Sequence, residues 1–259
     1  MIYLNDQPVN TTIFPDNTSQ VWKLPKDIFF KSYISIKWAF SNEGEFLQLA
    51  QLKHLLSNKC QYGPFITLTL TYLPYGRQDK EVCNEATFAL RTFAALLNTL
   101  QFDSVIIHDP HSKIALDLIN NSHAVYPERK ILDARVATNS PLLCYPDKGA
   151  VSKYSETYPG WDYIYGQKVR DQLTGNITHY ELIGDCVGQN VLIVDDICDG
   201  GMTFILLAKS LLAAGAKEVN LFVTHGIFSK GTRVLFEAGI KRVFTQDGEV
   251  GPRETSIQF

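Results

Sequence analysis

Three carboxylates and two glycines stand together in Val191 to Thr203, VLIVDDICDGGMT, where an apolar run ends in Asp195 and Asp196, Asp199 follows, and Gly200 and Gly201 open a second apolar run. Ionised carboxylates accept hydrogen bonds, and the adjacent hydroxyls of a sugar donate them. A glycine pair lets the backbone turn tightly into a helix, whose unpaired N–H groups and dipole favour a phosphate. The chemistry these residues suit is the capture of a ribose bearing a 5-phosphate. Asp195, Asp196 and Asp199 would hold the sugar, and Gly200, Gly201, Met202 and Thr203 the phosphate. Asp and Gly also fill ordinary surface turns, so this motif alone leaves a plain strand-to-helix turn open.

Four more blocks occur along the chain: YLPYGRQDK at Tyr72 to Lys80, HDPHS at His108 to Ser112, YPDKGA at Tyr145 to Ala150 and THGIFS at Thr224 to Ser229. In this order, and with the aspartate motif, they resemble the ribose-phosphate pyrophosphokinases, the synthetases of phosphoribosyl diphosphate (PRPP). The resemblance runs over residues 12 to 246. The aspartate motif is shared with type I phosphoribosyltransferases, whereas the Arg-Gln-Asp block is not, and several ordered motifs are more specific than any one.

The resemblance implies an α/β fold of two tandem phosphoribosyltransferase-like domains, each a mainly parallel sheet flanked by helices. It implies a diphosphotransferase that moves the β,γ-diphosphate of ATP to the anomeric hydroxyl of a ribose 5-phosphate moiety and releases AMP. Such transfer needs alignment and charge stabilisation more than covalent help, with Mg²⁺ as cofactor. Lys168 and Arg170 match the family's catalytic loop, His111 is carried over as a catalytic and metal-associated residue, and Asp147 as its metal partner. Arg77 and Gln78 match the ATP-binding segment, where the planar fork of arginine suits phosphate. Phe14 and Asp16 resemble the adenine loop, usually contributed by a neighbouring subunit, although Thr18 stands where a glutamate is usual. The expected assembly is a homo-oligomer, a dimer or a dimer-based hexamer.

The departures concern the acceptor. The family's phosphate loop commonly reads D-T-x-G-T, whereas here it reads Asp199-Gly200-Gly201-Met202-Thr203. A hydroxyl donor is lost, which weakens the capture of a phosphate monoester more than that of a phosphate inside a diphosphate bridge. The loop therefore leans toward ADP-ribose as acceptor, as in short relatives associated with NAD salvage, with ribose 5-phosphate close behind. Glu81, Val82 and Cys83 also replace basic residues after Arg-Gln-Asp, and the chain ends at Phe259 where the family usually continues into a helix. Two other readings stay open at this stage: a phosphoribosyltransferase, and a nonenzymatic regulatory subunit associated with PRPP synthetases.

Elements must position these residues. Glu43 to Ser57 places Phe46, Leu49, Leu52 and Leu56 on one helical stripe. A β-rich run follows at Phe65 to Tyr72, then a helix capped by Asn84 and running to Leu100, then a strand from Ser104 to His108. A second series reads as strands at Leu142 to Tyr145, Asp162 to Tyr165, Val191 to Val194 and Val219 to Thr224, with helices at Phe204 to Ala214 and Thr232 to Ala238. Strand and helix in alternation indicate parallel sheets. The expected domains are residues 1–135 and 136–259, joined by a polar linker at Arg129 to Thr138 in which Ile131 and Leu132 alternatively form a strand. Gly166 to Tyr180 reads as a polar loop that holds Lys168 and Arg170, since long loops in compact domains are usually functional or disordered.

The chain has 259 residues, 45% of them apolar and 20% charged, with a net charge of −3. That balance suits a globular protein and argues against a nucleic-acid surface. No apolar run is long enough to span a bilayer and Met1 to Asn10 has no leader pattern, so the expected location is the cytoplasm. Five cysteines form no C-x-x-C pair and read as buried free thiols, Cys198 included.

Overall fold

The computed structural model describes residues 1–170 and 177–254, with the side chains of Arg170, Ile177 and Thr178 outside that description. The chain divides into two compact units, Met1–Val125 and Tyr126–Phe259.

The first unit contains β1 (Ile2–Leu4), β2 (Gln7–Pro8), β3 (Thr11–Ile13), β4 (Ser19–Val21), β5 (Tyr33–Trp38), α1 (Gly44–Lys59), β6 (Phe65–Leu70), α2 (Ala89–Asn98), β7 (Ser104–His108), α3 (Ile114–Leu118) and β8 (Ser122–Val125). Its main sheet has the order β2-β1-β5-β6-β7-β8. The strands β5 to β8 pair in parallel, and β1 and β2 close one edge antiparallel. Alternation explains β5, where Ile34, Ile36 and Trp38 are buried and the residues between them are not. Spacing explains α1, which buries Leu49, Leu52 and Leu56. The strands β3 and β4 form a separate two-stranded hairpin. The helix expected from Asn84 begins at Ala89 after Phe88, with no side-chain cap; the polar, proline-free stretch before it has too few apolar positions to anchor a helical face.

The second unit contains α4 (Glu128–Thr138), β9 (Leu142–Tyr145), α5 (Lys148–Thr157), β10 (Tyr163–Arg170), β11 (Ile177–Ile183), β12 (Asn190–Cys198), α6 (Met202–Ala213), β13 (Glu218–Gly226), α7 (Arg233–Glu237), β14 (Ile240–Thr245) and β15 (Gly248–Val250). Its sheet has the order β11-β10-β9-β12-β13-β14-β15, parallel from β10 to β14 and antiparallel at both edges. Val191 to Val194 on β12 and Leu221 to Val223 on β13 are buried throughout. Such continuous apolar runs belong to strands covered on both faces. One face packs Phe204, Leu207 and Leu211 of α6, and the other packs Ile131 and Ala134 of α4 with Tyr154 of α5.

Several expectations change here. The stretch read as a linker or strand at Arg129 to Thr138 is α4, because Ile131, Ala134 and Thr138 bury one helical face and Asn139 ends it in the left-handed conformation, φ 47°. The division between units falls at Val125, ahead of this helix, not at residue 135. Of the stretch read as a loop at Gly166 to Tyr180, residues 166–170 and 177–180 belong to an antiparallel ribbon, in which β10 and β11 pair from Tyr165 with Ile183 to Lys168 with Tyr180 and beyond, and residues 171–176 lie outside the described residues. Cys144, Cys186 and Cys198 are buried free thiols, but Cys83 is exposed. Among the described residues, no helix is long and apolar enough to cross a membrane.

Candidate active site

The strands β10, β9 and β12 are parallel neighbours, and their carboxyl ends carry the second unit's polar cluster. Crevices beyond such strand ends are where open α/β sheets bind ligands. The strand β9 stops at Tyr145, and the chain turns at Asp147 into α5. Asp147 is an N-cap: its Oδ1 accepts from Gly149 N at 3.0 Å and Ala150 N at 3.1 Å. Its Oδ2 accepts from Lys168 Nζ at 2.9 Å. Lys168 reaches it because it stands on β10 three residues past that strand's last pairing with β9, Tyr165 with Tyr145.

Burial opposes the charge on both partners, but their contact outweighs it. Asp147 is held below its ordinary value by Lys168 and by the two cap amides, despite a desolvation that pushes the other way. Lys168 loses ground to burial and more than regains it from Asp147, Tyr180 and Asp195, so its ammonium is held above the usual range. Asp195, at the end of the apolar run, is partly exposed as a residue, yet protein atoms crowd its carboxyl. Burial, then the charge of Asp196, and more weakly Asp147, push it well above the usual carboxylate range. Asp195 Oδ1 accepts from Asp196 N at 2.9 Å. Asp196 itself is buried and lies 3.6 Å from Lys153 Nζ on α5. Consecutive strand positions thus turn the two carboxylates toward different cations, Asp195 toward Lys168 and Asp196 toward Lys153.

The glycine loop follows. Asp199 is exposed and Gly200 half-buried. Gly201 sits at φ 79°, and a Cβ there would come within 3.0 Å of Leu235, so this position requires glycine. It precedes α6, whose first turn has no side-chain cap; Thr203 is half-buried and Met202 is 56% exposed. Cys198 is fully buried, and burial pushes its thiol up to about 12, which makes it a packing residue.

The remaining expected residues belong to the first unit. Arg77 and Gln78 are exposed beyond a turn at Pro74 to Gly76, after β6, with Gln78 N bonded to Tyr75 O at 2.8 Å. His111 is exposed beyond the end of β7, the parallel neighbour of β6. Phe14 and Asp16 lie in the connection between β3 and β4. Phe14 is 41% exposed. Asp16 Oδ1 accepts from Thr18 N at 3.0 Å and Thr18 Oγ1 at 2.7 Å, so the residue in place of the usual glutamate closes the turn. The Arg170 side chain lies outside the described residues.

Among the described residues, no group of three or more His, Cys, Asp or Glu side chains converges as a cage for a metal ion. The donors in the second unit that suit Mg²⁺ by chemistry are the hard oxygens of Asp147 and Asp195; Mg²⁺ is commonly held by one or two carboxylates together with substrate phosphates and water. Three residues near the site escaped notice in the sequence. Lys153 faces Asp196, and its signal was a position one and a half turns into the helix that Asp147 caps. Tyr180 faces Lys168 across the β10–β11 ribbon. Lys230, directly after THGIFS, lies against Gly200.

Residues 160–257 match the phosphoribosyl transferase domain. Ribose-phosphate pyrophosphokinase 2 of Saccharomyces cerevisiae is 30% identical over 173 residues, 65% of this chain and 54% of that protein. The ribose-phosphate pyrophosphokinase of Sulfolobus acidocaldarius is 25% identical over 257 residues, 94% of this chain and 84% of that one. The matched span is thus about half the length of the yeast relative and most of the archaeal one. In fold, the chain is similar to the crystal structure of phosphoribosylpyrophosphate synthetase from Mycobacterium smegmatis, with a TM-score of 0.75 at 20% identity, covering 92% of this chain and 79% of that one.

Proposed function

We propose that this chain, a divergent relative of the ribose-phosphate pyrophosphokinases, transfers a diphosphoryl group from ATP to the anomeric hydroxyl of a ribose 5-phosphate moiety. The observation that carries the reading is the cluster of Lys168, Asp147 and Asp195 beside the Gly200–Gly201 loop, at the carboxyl end of a phosphoribosyltransferase-like sheet. Asp195, Asp196 and Asp199 orient the sugar, and the uncapped first turn of α6 takes the phosphate. The anomeric oxygen attacks Pβ of ATP and forms a new O–P bond. The bond from Pβ to the oxygen bridging it to Pα breaks, AMP leaves with the electron pair, and the hydroxyl proton passes to water. Lys168 stabilises the charge that builds on the transferring group, and Arg170 and His111 are assigned catalytic roles by family position. Asp147, with His111 carried over by family position, would hold Mg²⁺, which when bound would supply charge neutralisation for the triphosphate. Arg77, Gln78, Phe14 and Asp16 are assigned to ATP.

For the acceptor, the missing hydroxyl at Gly200 and the exposed thioether of Met202 favour a phosphate that is itself substituted, so the reading leans to ADP-ribose, with ADP-ribose pyrophosphate as product and a place in NAD salvage. Ribose 5-phosphate, giving PRPP, is the second acceptor. Retention of Lys168, Asp147 and the three aspartates favours an enzyme over a regulatory subunit, and the Arg-Gln-Asp block favours a pyrophosphokinase over a base transferase. The reading extends to a homo-oligomer working in the cytoplasm. Product analysis tests it: AMP must accumulate from ATP and Mg²⁺ only when an acceptor is present. ADP as the nucleotide product rejects it.

A further inference from the structure

Gly200 has no side chain, and the methylenes of Lys230 fill the space beside it. A Cβ built on Gly200 would lie 3.6 Å from both Cδ and Cε of Lys230 and 3.9 Å from its Cγ. The stem is therefore laid along the loop, and Nζ, one bond of about 1.5 Å beyond Cε, is within reach of an anion held there. Lys230 is exposed and has no ion pair among the described residues.

The turn that launches this side chain is tied to the sugar-binding strand. Ile227 N and Phe228 N both donate to the carbonyl of Cys198, the last residue of β12, at 2.9 and 3.1 Å. Gly231 N donates to Phe228 O at 2.8 Å. The Phe228 ring folds back over Gly226 so closely that a Cβ there would meet it at 2.1 Å. Thr232, buried, donates from Oγ1 to Gly251 O at 2.7 Å and accepts from Arg253 N at 2.8 Å. An ammonium on a stem of this kind is a point charge with rotatable donors. It serves a phosphate whose oxygens are reduced in number by esterification as readily as one with all three exposed.

We infer that Lys230 is a specificity-determining residue that supplies the cationic contact to the phosphate on the acceptor's C5 oxygen, in the space that Gly200 leaves open. The ligand class is a ribose carrying a C5 phosphate, terminal or bridging to a second phosphate. This inference rests on the pyrophosphokinase reading.

The test compares the full chain with Lys230→Met, which keeps the stem, and Lys230→Arg, which keeps the charge. Each is assayed for AMP formation with ribose 5-phosphate and with ADP-ribose, and for binding of the same two compounds by calorimetry without ATP. Loss of a hydrogen bond to a charged group predicts a rise of about ten- to a hundredfold in acceptor KM and Kd for Lys230→Met. The ATP KM should hold, and arginine should restore most of the loss. A larger loss for ADP-ribose marks a bridging phosphate as the natural occupant, and a larger loss for ribose 5-phosphate a terminal one. Unchanged Kd values for both compounds in Lys230→Met overturn the role of Lys230, whatever the turnover. Failure of the unmodified chain to form AMP while it still binds an acceptor overturns the pyrophosphokinase reading alone, and failure to bind either compound overturns both.

Discussion

Lys168, on the strand β10, donates from Nζ to Oδ2 of Asp147, the residue that caps α5, at 2.9 Å. One carboxylate therefore serves a helix terminus through one oxygen and a strand cation through the other. The pair holds Lys168 at the mouth of the crevice with its charge intact. A cation fixed in advance is effective catalytically because no reorganisation is needed as charge develops.

Replacing Lys168 by Ala should lower kcat by about a hundredfold, the effect of losing a preorganised donor worth about 3 kcal/mol to a transition state. The acceptor KM should move much less. Steady-state AMP formation over a range of acceptor concentrations separates the two, and a near-normal kcat removes Lys168 from the machinery.

Asp147→Ala should cost about 1 kcal/mol of stability through the lost cap, in addition to activity. The sign of its pH dependence follows from the direction of the shift. A carboxylate held below its ordinary value contributes stability that is present above the unfolded value of 3.8 and lost as pH falls through the lower folded one. Lys168, held high, contributes below 10.5 and loses its part as pH rises through the folded value. Thermal melts of the variant should thus show a deficit across the neutral range that narrows as the pH is taken well below 3.8.

Asp195 has the opposite sign. Its carboxyl is pushed up in the folded chain, so above pH 3.8 the unfolded state ionises more readily and the folded state loses stability as pH climbs. Asp195→Asn should therefore melt higher than the unmodified chain at pH 8, by more than at pH 4, while losing acceptor turnover. Equal Tm differences at the two pH values would remove the strain assigned to this carboxylate.

The acceptor preference should follow the loop. With the unmodified chain, kcat/KM for ADP-ribose is expected to exceed that for ribose 5-phosphate. The double change Gly200→Thr and Met202→Gly should narrow the gap by about ten- to a hundredfold, since a donor to a charged phosphate is worth ~1.5–3 kcal/mol. Equal or better use of ribose 5-phosphate by the unmodified chain assigns it to ordinary PRPP synthesis.

The strand cores were legible because burial on both faces leaves uninterrupted apolar runs, as at Val191 to Val194, and burial on alternate positions leaves the short apolar run inside Ser104 to His108. The aspartates and glycines were legible for the same reason, since they interrupt such a run where a strand must exit. What escaped depends on partners far apart in sequence. Lys168 and Tyr180 look like loop residues because polar side chains alternate on an edge ribbon as they do in a loop, and only the antiparallel pairing of β10 with β11 distinguishes the two. The helix α4 was hidden by Arg129, Lys130, Asp133 and Arg135, which cover its solvent side and mask the buried stripe of Ile131, Ala134 and Thr138. Lys153 offers only its position in the helix that Asp147 caps, and Lys230 no local signal, because each acquires its neighbour through a different part of the chain.

The bonds from Thr232 to Gly251 and Arg253 tie the far end of the sheet to the turn that carries Lys230. Local opening in proteins proceeds in cooperative blocks, and these bonds join the segment after β15 to the Gly200 side of the crevice, where Lys230 lies. In hydrogen exchange, the amide of Arg253 should slow together with those of Ile227 and Phe228 when an acceptor binds. Trimming the chain back to Val250 should quicken exchange at Ile227 and Phe228 while leaving the amides of β9 untouched.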